Sequence, residues 1–397
     1  MQPCKSSKNA TREECLSSSC CFNEHYNPIA QLGPKCFYPA NAEISAYFQD
    51  SINAQAFGAQ VGSTASYAGF EGYGCGWGPP VLAPVPRTND TWGMGWQNLY
   101  DLEVAEMLAA DLTQGYDVVL YGDSITENWR GTSTGELWKW SNGTLDTRFV
   151  AWNMKAIFQE AFQDDYRTGV MAIAGDQISH LWWRLLHGQM PTAHMPKVAI
   201  VLIGTNDLFA EADCLANNET QLENAVNGIY QRFEAMLHVM QTGMPDTQII
   251  IQAIYPRGAD FAANSFQWPN HFTYPIDLLN ALYQKLAINQ TNLHYINCGN
   301  QFVDATGDGI NQELMPDGLH PSAMGLASIA DCLLPLVNKL ASGGALMSSL
   351  QGNLATAPVS SFQDRQGLAA APAPAAVVAA QSQAMSPGSL QMAGRRL

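Results

Sequence analysis

Five short runs constrain this chain more than anything else in its sequence: DVVLYG (117–122), TGVMAIAG (168–175), KVAIVLIG (197–204), QIIIQAIYP (248–256) and LHYINCG (293–299). Each is apolar at nearly every position rather than at every second one, so each asks to be buried on both faces, as strands of a parallel sheet are. Between and around them, stretches with helical spacing of apolar residues fall near 101–113, 152–163, 177–188, 219–242, 276–288 and 322–340. Strands that alternate with amphipathic helices predict an α/β fold, a three-layer α/β/α sandwich around a five-stranded parallel sheet. A hydrophobic content of 47% in 397 residues is ample for such a core.

The rest of the chain reads differently. Residues 41–98 turn Gly-, Pro- and aromatic-rich (YAGFEGYGCGWGPPVLAPVP) without steady periodicity, which predicts an irregular linker packing through its aromatics on a domain at 99–342. After SGG near 342 the composition falls to Ala, Pro, Ser and Gln, too poor in large apolar residues to offset the entropy of ordering, so 343–397 is expected to be a disordered tail. Cys4, Cys15, Cys20, Cys21 and Cys36 crowd the first 36 residues. That density predicts a disulfide-stapled module and an oxidising, extracellular location, whereas adjacent Cys20 and Cys21 lack the C-x-x-C spacing of a zinc site. Residues 1–20 contain no apolar core of a signal peptide, so either the start is missing or the expectation of an oxidising compartment fails.

The stretch LYGDSITENW (120–129) breaks from a buried strand into Gly122-Asp123-Ser124. Ligands bind in open α/β sheets at the carboxyl ends of the strands, which is where Ser124 falls; the plainer alternative is that Asp123 or Ser124 caps the next helix. Three more segments converge on the same rim: Gly175, then Gly204-Thr205-Asn206-Asp207, then Asp317-Gly318-Leu319-His320-Pro321. A serine hydroxyl is a weak nucleophile until a base takes its proton, and imidazole suits that task, so His320 is the candidate base. Asp317, three positions upstream, is near enough to accept the other ring N–H and fix the tautomer. The backbone N–H groups of Ser124 and Gly175 and the amide of Asn206 are the candidate oxyanion donors, because a neutral N–H donor suits a developing anion and the Asp207 carboxylate would repel it. Asp207 is left to hold the loop. His25, His180, His187, His194, His238, His271 and His294 lack such company.

GDSI, Gly175, GTND and DGLHP resemble blocks I, II, III and V of the SGNH (GDSL) hydrolase superfamily over about residues 99–341. GDQISHLWWRLLHG, PKVAIVLIGTN and YPRG are similar to the catalytic subunits of platelet-activating-factor acetylhydrolase Ib and their relatives. The resemblance implies a flavodoxin-like sheet in the order 2-1-3-4-5, no metal or other cofactor, and hydrolysis through an acyl-serine. It places the nucleophile on Ser124, the oxyanion hole on Ser124, Gly175 and Asn206, and the orienter and base on Asp317 and His320. Ala172 and Ala174 stand where relatives often carry glycine, and a Trp- and Gly-rich insertion near 130–165 without clear counterpart is expected to wall the pocket. Arg257 of YPRG is assigned to a substrate-contacting rim, with a structural ion pair as the alternative. At the amino terminus, TREECLSSSCCF and KCFYP resemble the second half of a P-type trefoil domain, so residues 1–40 are expected to be a partial trefoil-like module. Its pairing scheme would join Cys4 to Cys20 and Cys15 to Cys36 and leave Cys21 without its partner.

Lys+Arg 19 against Asp+Glu 35 gives a formal net charge of -16, which repels phosphate backbones and anionic headgroups, so no nucleic-acid partner is expected. No uninterrupted apolar run approaches the ~20 residues of a membrane span. The expected function is a secreted serine esterase acting on short acyl, foremost acetyl, esters of a glycan or small alcohol. The alternatives are a phospholipase- or lipase-type acyl hydrolase, and a glycan-binding protein without activity. Five N-x-S/T sequons stand at Asn9, Asn89, Asn142, Asn218 and Asn289. Oligomeric state leaves no mark in the sequence.

Overall fold

All five predicted strands form. In the computed structural model of the protein, which describes residues 21–22, 36–37, 75, 81–87, 93–140, 142–215, 217–260, 265–288 and 290–342, they are β1 (Val118–Gly122), β2 (Thr168–Ala172), β3 (Val198–Leu202), β4 (Gln248–Gln252) and β5 (Leu293–Ile296). They pair in parallel in the order β2-β1-β3-β4-β5. Every residue of β1, β2 and β3 is buried, which requires cover on both faces of the sheet. Full burial of each Val, Ile or Leu on these strands contributes roughly 1.5–3 kcal/mol.

The main helices are α1 (Gly93–Asp111), α2 (Ser124–Glu127), α3 (Ala151–Phe158), α4 (Ile178–Arg184), α5 (Thr205–Glu211), α6 (Glu219–Gly243), α7 (Thr273–Leu286) and α8 (Ala323–Ala341). Two differ from expectation. Helix α1 begins at Gly93 rather than near 101, because Trp96, Leu99 and Tyr100 bury against Ile173 and Trp183 in a small core of their own. Helix α5 is a short turn that grows from GTND, which reads as loop in the sequence. Helix α8 is long and apolar enough to cross a bilayer by composition alone, yet Leu326, Ile329, Leu333 and Val337 pack into the main core, and Cys332 is bonded to Cys298 beyond β5. A second disulfide joins Cys75 to Cys214, just past α5.

The expected trefoil-like module lies outside the described residues apart from Cys21–Phe22 and Cys36–Phe37, which pair as two-residue antiparallel strands. The pairings proposed for Cys4, Cys15 and Cys20, most of the 41–98 linker and the 343–397 tail also fall outside them.

The strand register positions the site. Gly122 lies opposite Ala172 on one side and Leu202 on the other, so the segments leaving β1, β2 and β3 emerge side by side at one sheet edge. Gly122 has to be glycine: a Cβ there would meet the Leu202 carbonyl oxygen at 2.4 Å.

Candidate active site

Helix α2 starts directly at the end of β1. Asp123 caps it, its Oδ1 accepting the Ile125 N–H at 3.0 Å, which leaves the Ser124 hydroxyl free to face elsewhere. The capping reading therefore holds for Asp123, and Ser124 does something else. Its Oγ lies 2.9 Å from His320 Nε2, across 196 residues of sequence. His320 Nδ1 lies 2.7 Å from Asp317 Oδ2, and Asp317 Oδ1 accepts the backbone N–H groups of Leu319 (2.9 Å) and His320 (2.7 Å). Burial by itself would raise the Asp317 carboxyl, but His320 and these hydrogen bonds outweigh it and hold the group below the usual carboxylate range. Asp317 is thus a fixed anion that keeps the imidazole's Nδ1 protonated and its Nε2 turned to the serine.

Gly175 sits at φ +82°, a left-handed conformation that glycine adopts without strain. Asn206, in the first turn of α5, donates from Nδ2 to the Asp176 carbonyl at 2.9 Å, which ties it to the residue after Gly175. Among the described residues, no protein acceptor takes the N–H of Ser124 or Gly175. The structure thus gathers the five residues singled out in the sequence, Ser124, Gly175, Asn206, Asp317 and His320, at one sheet edge.

Arg257 is placed differently from expectation. It is closed off from solvent rather than exposed on a rim, with its guanidinium 4.4 Å from the Phe272 ring and 5.1 Å from Phe209. The flat cation is covered by aromatic faces, which pull it inward from the strand end. Its Nη1 donates to both the carbonyl and the hydroxyl oxygen of Thr205, 3.2 Å each, immediately before Asn206. The next residue, Gly258, donates its N–H to the Gly318 carbonyl at 2.7 Å. YPRG therefore braces both the Asn206 segment and the Asp317–His320 loop. Desolvation lowers the guanidinium to about 10, and Asp213 and Asp123 oppose that fall.

Further groups support the site, several of them without a clear sequence signal. Glu127, at the end of α2 and fully buried, accepts four hydrogen bonds: from Ala174 N (2.7 Å), Thr134 N (2.9 Å), Gly135 N (2.9 Å) and Thr132 Oγ1 (2.8 Å). One carboxylate thereby locks the Gly175 loop to the helix that carries Ser124. Burial raises Glu127, and those bonds pull the other way. Asp176 is held by Arg184 (2.7 Å) and by the Trp96 indole (2.7 Å). Asp207 accepts the Ile178 N–H at 3.0 Å and lies 3.6 Å from Arg232, so it does hold its loop; burial pushes it up to about 6, partly offset by Arg232. Arg87 donates to the Ala174 carbonyl at 2.7 Å, and its guanidinium lies against Gly175 so closely that a Cβ there would meet Nη1 at 2.5 Å. Burial pushes Asp123 up to about 8, and its Oδ2 has no hydrogen-bond partner among the described residues. From the insertion, Trp138 leans on the His320 ring at a centroid distance of 4.8 Å and donates to Asn128 Oδ1 at 3.0 Å. Asn128 in turn donates to the Pro321 carbonyl at 3.0 Å. Asp207 and Asp123 were legible as loop holder and cap, whereas Glu127, although three residues after Ser124 on one helix, takes its role from partners elsewhere in the chain.

Comparison with known proteins sets this geometry in context. The human platelet-activating factor acetylhydrolase IB subunit alpha2 is 29% identical over 168 residues, covering 42% of this chain and 63% of that protein. Subunit alpha1 of Pongo abelii is 26% identical over 168 residues, covering 42% and 62%. The chain thus spans less than two thirds of the length of these relatives. Among solved structures, an acylhydrolase-like chain of Bacteroides fragilis is similar at a TM-score of 0.43 with 17% identity, over 64% of this chain and 100% of that one. A carbohydrate esterase family 3 protein of Talaromyces cellulolyticus is similar at a TM-score of 0.36 with 19% identity, over 57% and 98%. The sequence pattern of the GDSL-like lipase/acylhydrolase family matches residues 120–327, just over half of the chain and the span from the strand before Ser124 into the helix after His320. The chain belongs to the GDSL-like lipase/acylhydrolase family, a family of carboxylic ester hydrolases.

Proposed function

We propose that this protein is a serine esterase that removes short acyl groups, acetyl foremost, from a carbohydrate or a small alcohol through an acyl-serine. The observation that carries the reading is the hydrogen-bonded series from Asp317 through His320 to Ser124. Ser124 Oγ attacks the ester carbonyl carbon while its proton passes to His320 Nε2, and Asp317 stabilises the imidazolium that forms. The carbonyl oxygen becomes an anion that the N–H groups of Ser124 and Gly175 and the Asn206 amide receive. Collapse breaks the bond to the alcohol oxygen, which leaves with the proton from His320. Water then enters, gives a proton to His320, attacks the acyl carbon and releases the acid and the free serine.

The preference for small acyl groups is supported by enclosure: Ser124 and His320 are each only 5% exposed, and Trp138 closes over the imidazole. It also agrees with the acetylhydrolase named among the relatives. An oxidising, extracellular setting is part of the proposal, supported by the two disulfides and the cysteine-dense amino terminus. The test is a 4-nitrophenyl ester series from acetate through butyrate to octanoate, with Ser124→Ala as control. Turnover should fall with chain length and vanish in the variant. Equal turnover by Ser124→Ala defeats the mechanism, and rising turnover with chain length defeats the short-acyl preference.

A further inference from the structure

The insertion between α2 and α3 is a pair of hairpins. Thr132–Ser133 pairs with Glu136–Leu137, and Lys139 bridges Leu145. From it a series of stacked groups runs from the base to the surface. His320 meets Trp138 at 4.8 Å, and Trp138 stacks on Phe149 at 4.4 Å. Arg148 lies 5.6 Å from the Phe149 ring and 4.3 Å from that of Trp140. The inner members are fixed, Trp138 by Asn128 and Arg148 by Asp146 and the Pro316 carbonyl. The outer end is open: Trp140 is 42% exposed, between exposed Leu137 and Leu145.

We infer that the exposed outer end of this series, Trp140, forms a leaving-group subsite that binds the sugar rings of an acylated oligosaccharide beyond the ring bearing the ester, with buried Phe149 and half-buried Trp138 fixing it to the base. The inference rests on the carbohydrate-esterase reading above and names where its alcohol is held. His320 delivers its proton to the departing alcohol, so whatever lies against the outer side of His320 is placed to meet that alcohol. A flat, rigid indole offers a face to the C–H surface of a pyranose, and the exposed Glu136–Lys139 pair on these hairpins offers partners for its hydroxyls. A lipid surface fits less well. The exposed apolar residues alternate with these polar ones instead of forming a continuous greasy face with a basic rim, and a net charge of -16 disfavours anionic headgroups.

The experiment is steady-state kinetics of the full chain on methyl acetate and on O-acetylated xylo-oligosaccharides of one to four sugars, for the wild type, Trp140→Ala and Trp140→Phe. In the wild type KM should fall as the saccharide lengthens. Trp140→Ala should raise KM for the longer saccharides about tenfold and abolish the length dependence, while leaving kcat and the rate on methyl acetate unchanged; Trp140→Phe should retain most of it. Saccharide turnover that is independent of length, or unaffected by Trp140→Ala, overturns the subsite while leaving the esterase reading intact. Hydrolysis of methyl acetate without any of acetylated saccharide overturns both the subsite and the carbohydrate reading. Activation by long-chain ester emulsions that Trp140→Ala removes overturns the subsite in favour of a lipid-facing surface.

Discussion

The two halves of the site are built in opposite ways. The triad half rests on two direct hydrogen bonds among Ser124, His320 and Asp317, two of the three residues lying on one short loop. The half proposed to receive the oxyanion is held at second hand: Glu127 fixes Ala174, the Asp176 carbonyl takes the Asn206 amide, Asp207 fixes Ile178 and Arg257 fixes Thr205. Three of those holders are buried charged side chains, the fourth is the Asp176 backbone carbonyl, and all have partners tens of residues away. The difference has an energetic logic. A proton relay needs its atoms within hydrogen-bond reach and little more, whereas a hole for an oxyanion must keep its donors aimed while nothing occupies it, and buried carboxylates with several N–H partners are stiff enough to do so.

Breaking the triad half should cost most. His320→Ala should lower kcat/KM by roughly four orders of magnitude or more with the fold retained, as loss of the base does in serine hydrolases generally; near-UV circular dichroism alongside ester kinetics checks both points. Removing one donor from the other half should cost less. Asn206→Ala is expected to reduce kcat about 100- to 1,000-fold, about 3–4 kcal/mol, with little change in KM, because the anion exists only after attack.

The comparison sharpens at Glu127, which touches no substrate. In Glu127→Gln one accepting oxygen becomes an NH2 group that faces N–H donors, so the Ala174 segment should shift. A fall in kcat of about 10- to 100-fold at near-constant KM is expected. A drop in melting temperature with kcat unchanged would make Glu127 structural only.

A last effect falls on stability rather than turnover and concerns pH. Burial raises the Asp123 carboxyl to about 8 in the folded protein, against ~3.9 for a free aspartate. The folded state therefore binds this proton more tightly than the unfolded chain. Its contribution is fully present below ~4, is lost as pH rises towards about 8 and changes no further above that. The slope is on the order of 1.4 kcal/mol per pH unit at most. Urea denaturation at pH 5, 7 and 9 should show Asp123→Asn losing less stability with rising pH than the wild type; parallel curves would mean that Asp123 is ionised throughout.

The same contrast explains what could be read from the sequence. The strands were legible because consecutive burial writes itself as consecutive apolar residues, and the triad because Asp317 and His320 are three residues apart in a loop that must follow the last strand. Arg257 was misplaced because a charged residue at a strand end normally faces water; only the distant rings of Phe209 and Phe272 make its burial tolerable. The start of α1 was missed because Trp96 and Tyr100 belong to an aromatic stretch with no regular period, and what makes it helical is packing against Ile173 and Trp183. The roles of Glu127 and Arg87 depend on partners 47 and 87 residues away, a relation that local pattern does not carry.

The most direct test of the central claim is labelling of the intact protein with a fluorophosphonate, followed by peptide mass spectrometry. One adduct on Ser124, abolished by His320→Ala and slowed by Asn206→Ala, is the expected result. An unlabelled Ser124, or labelling that proceeds equally well without His320, would contradict it.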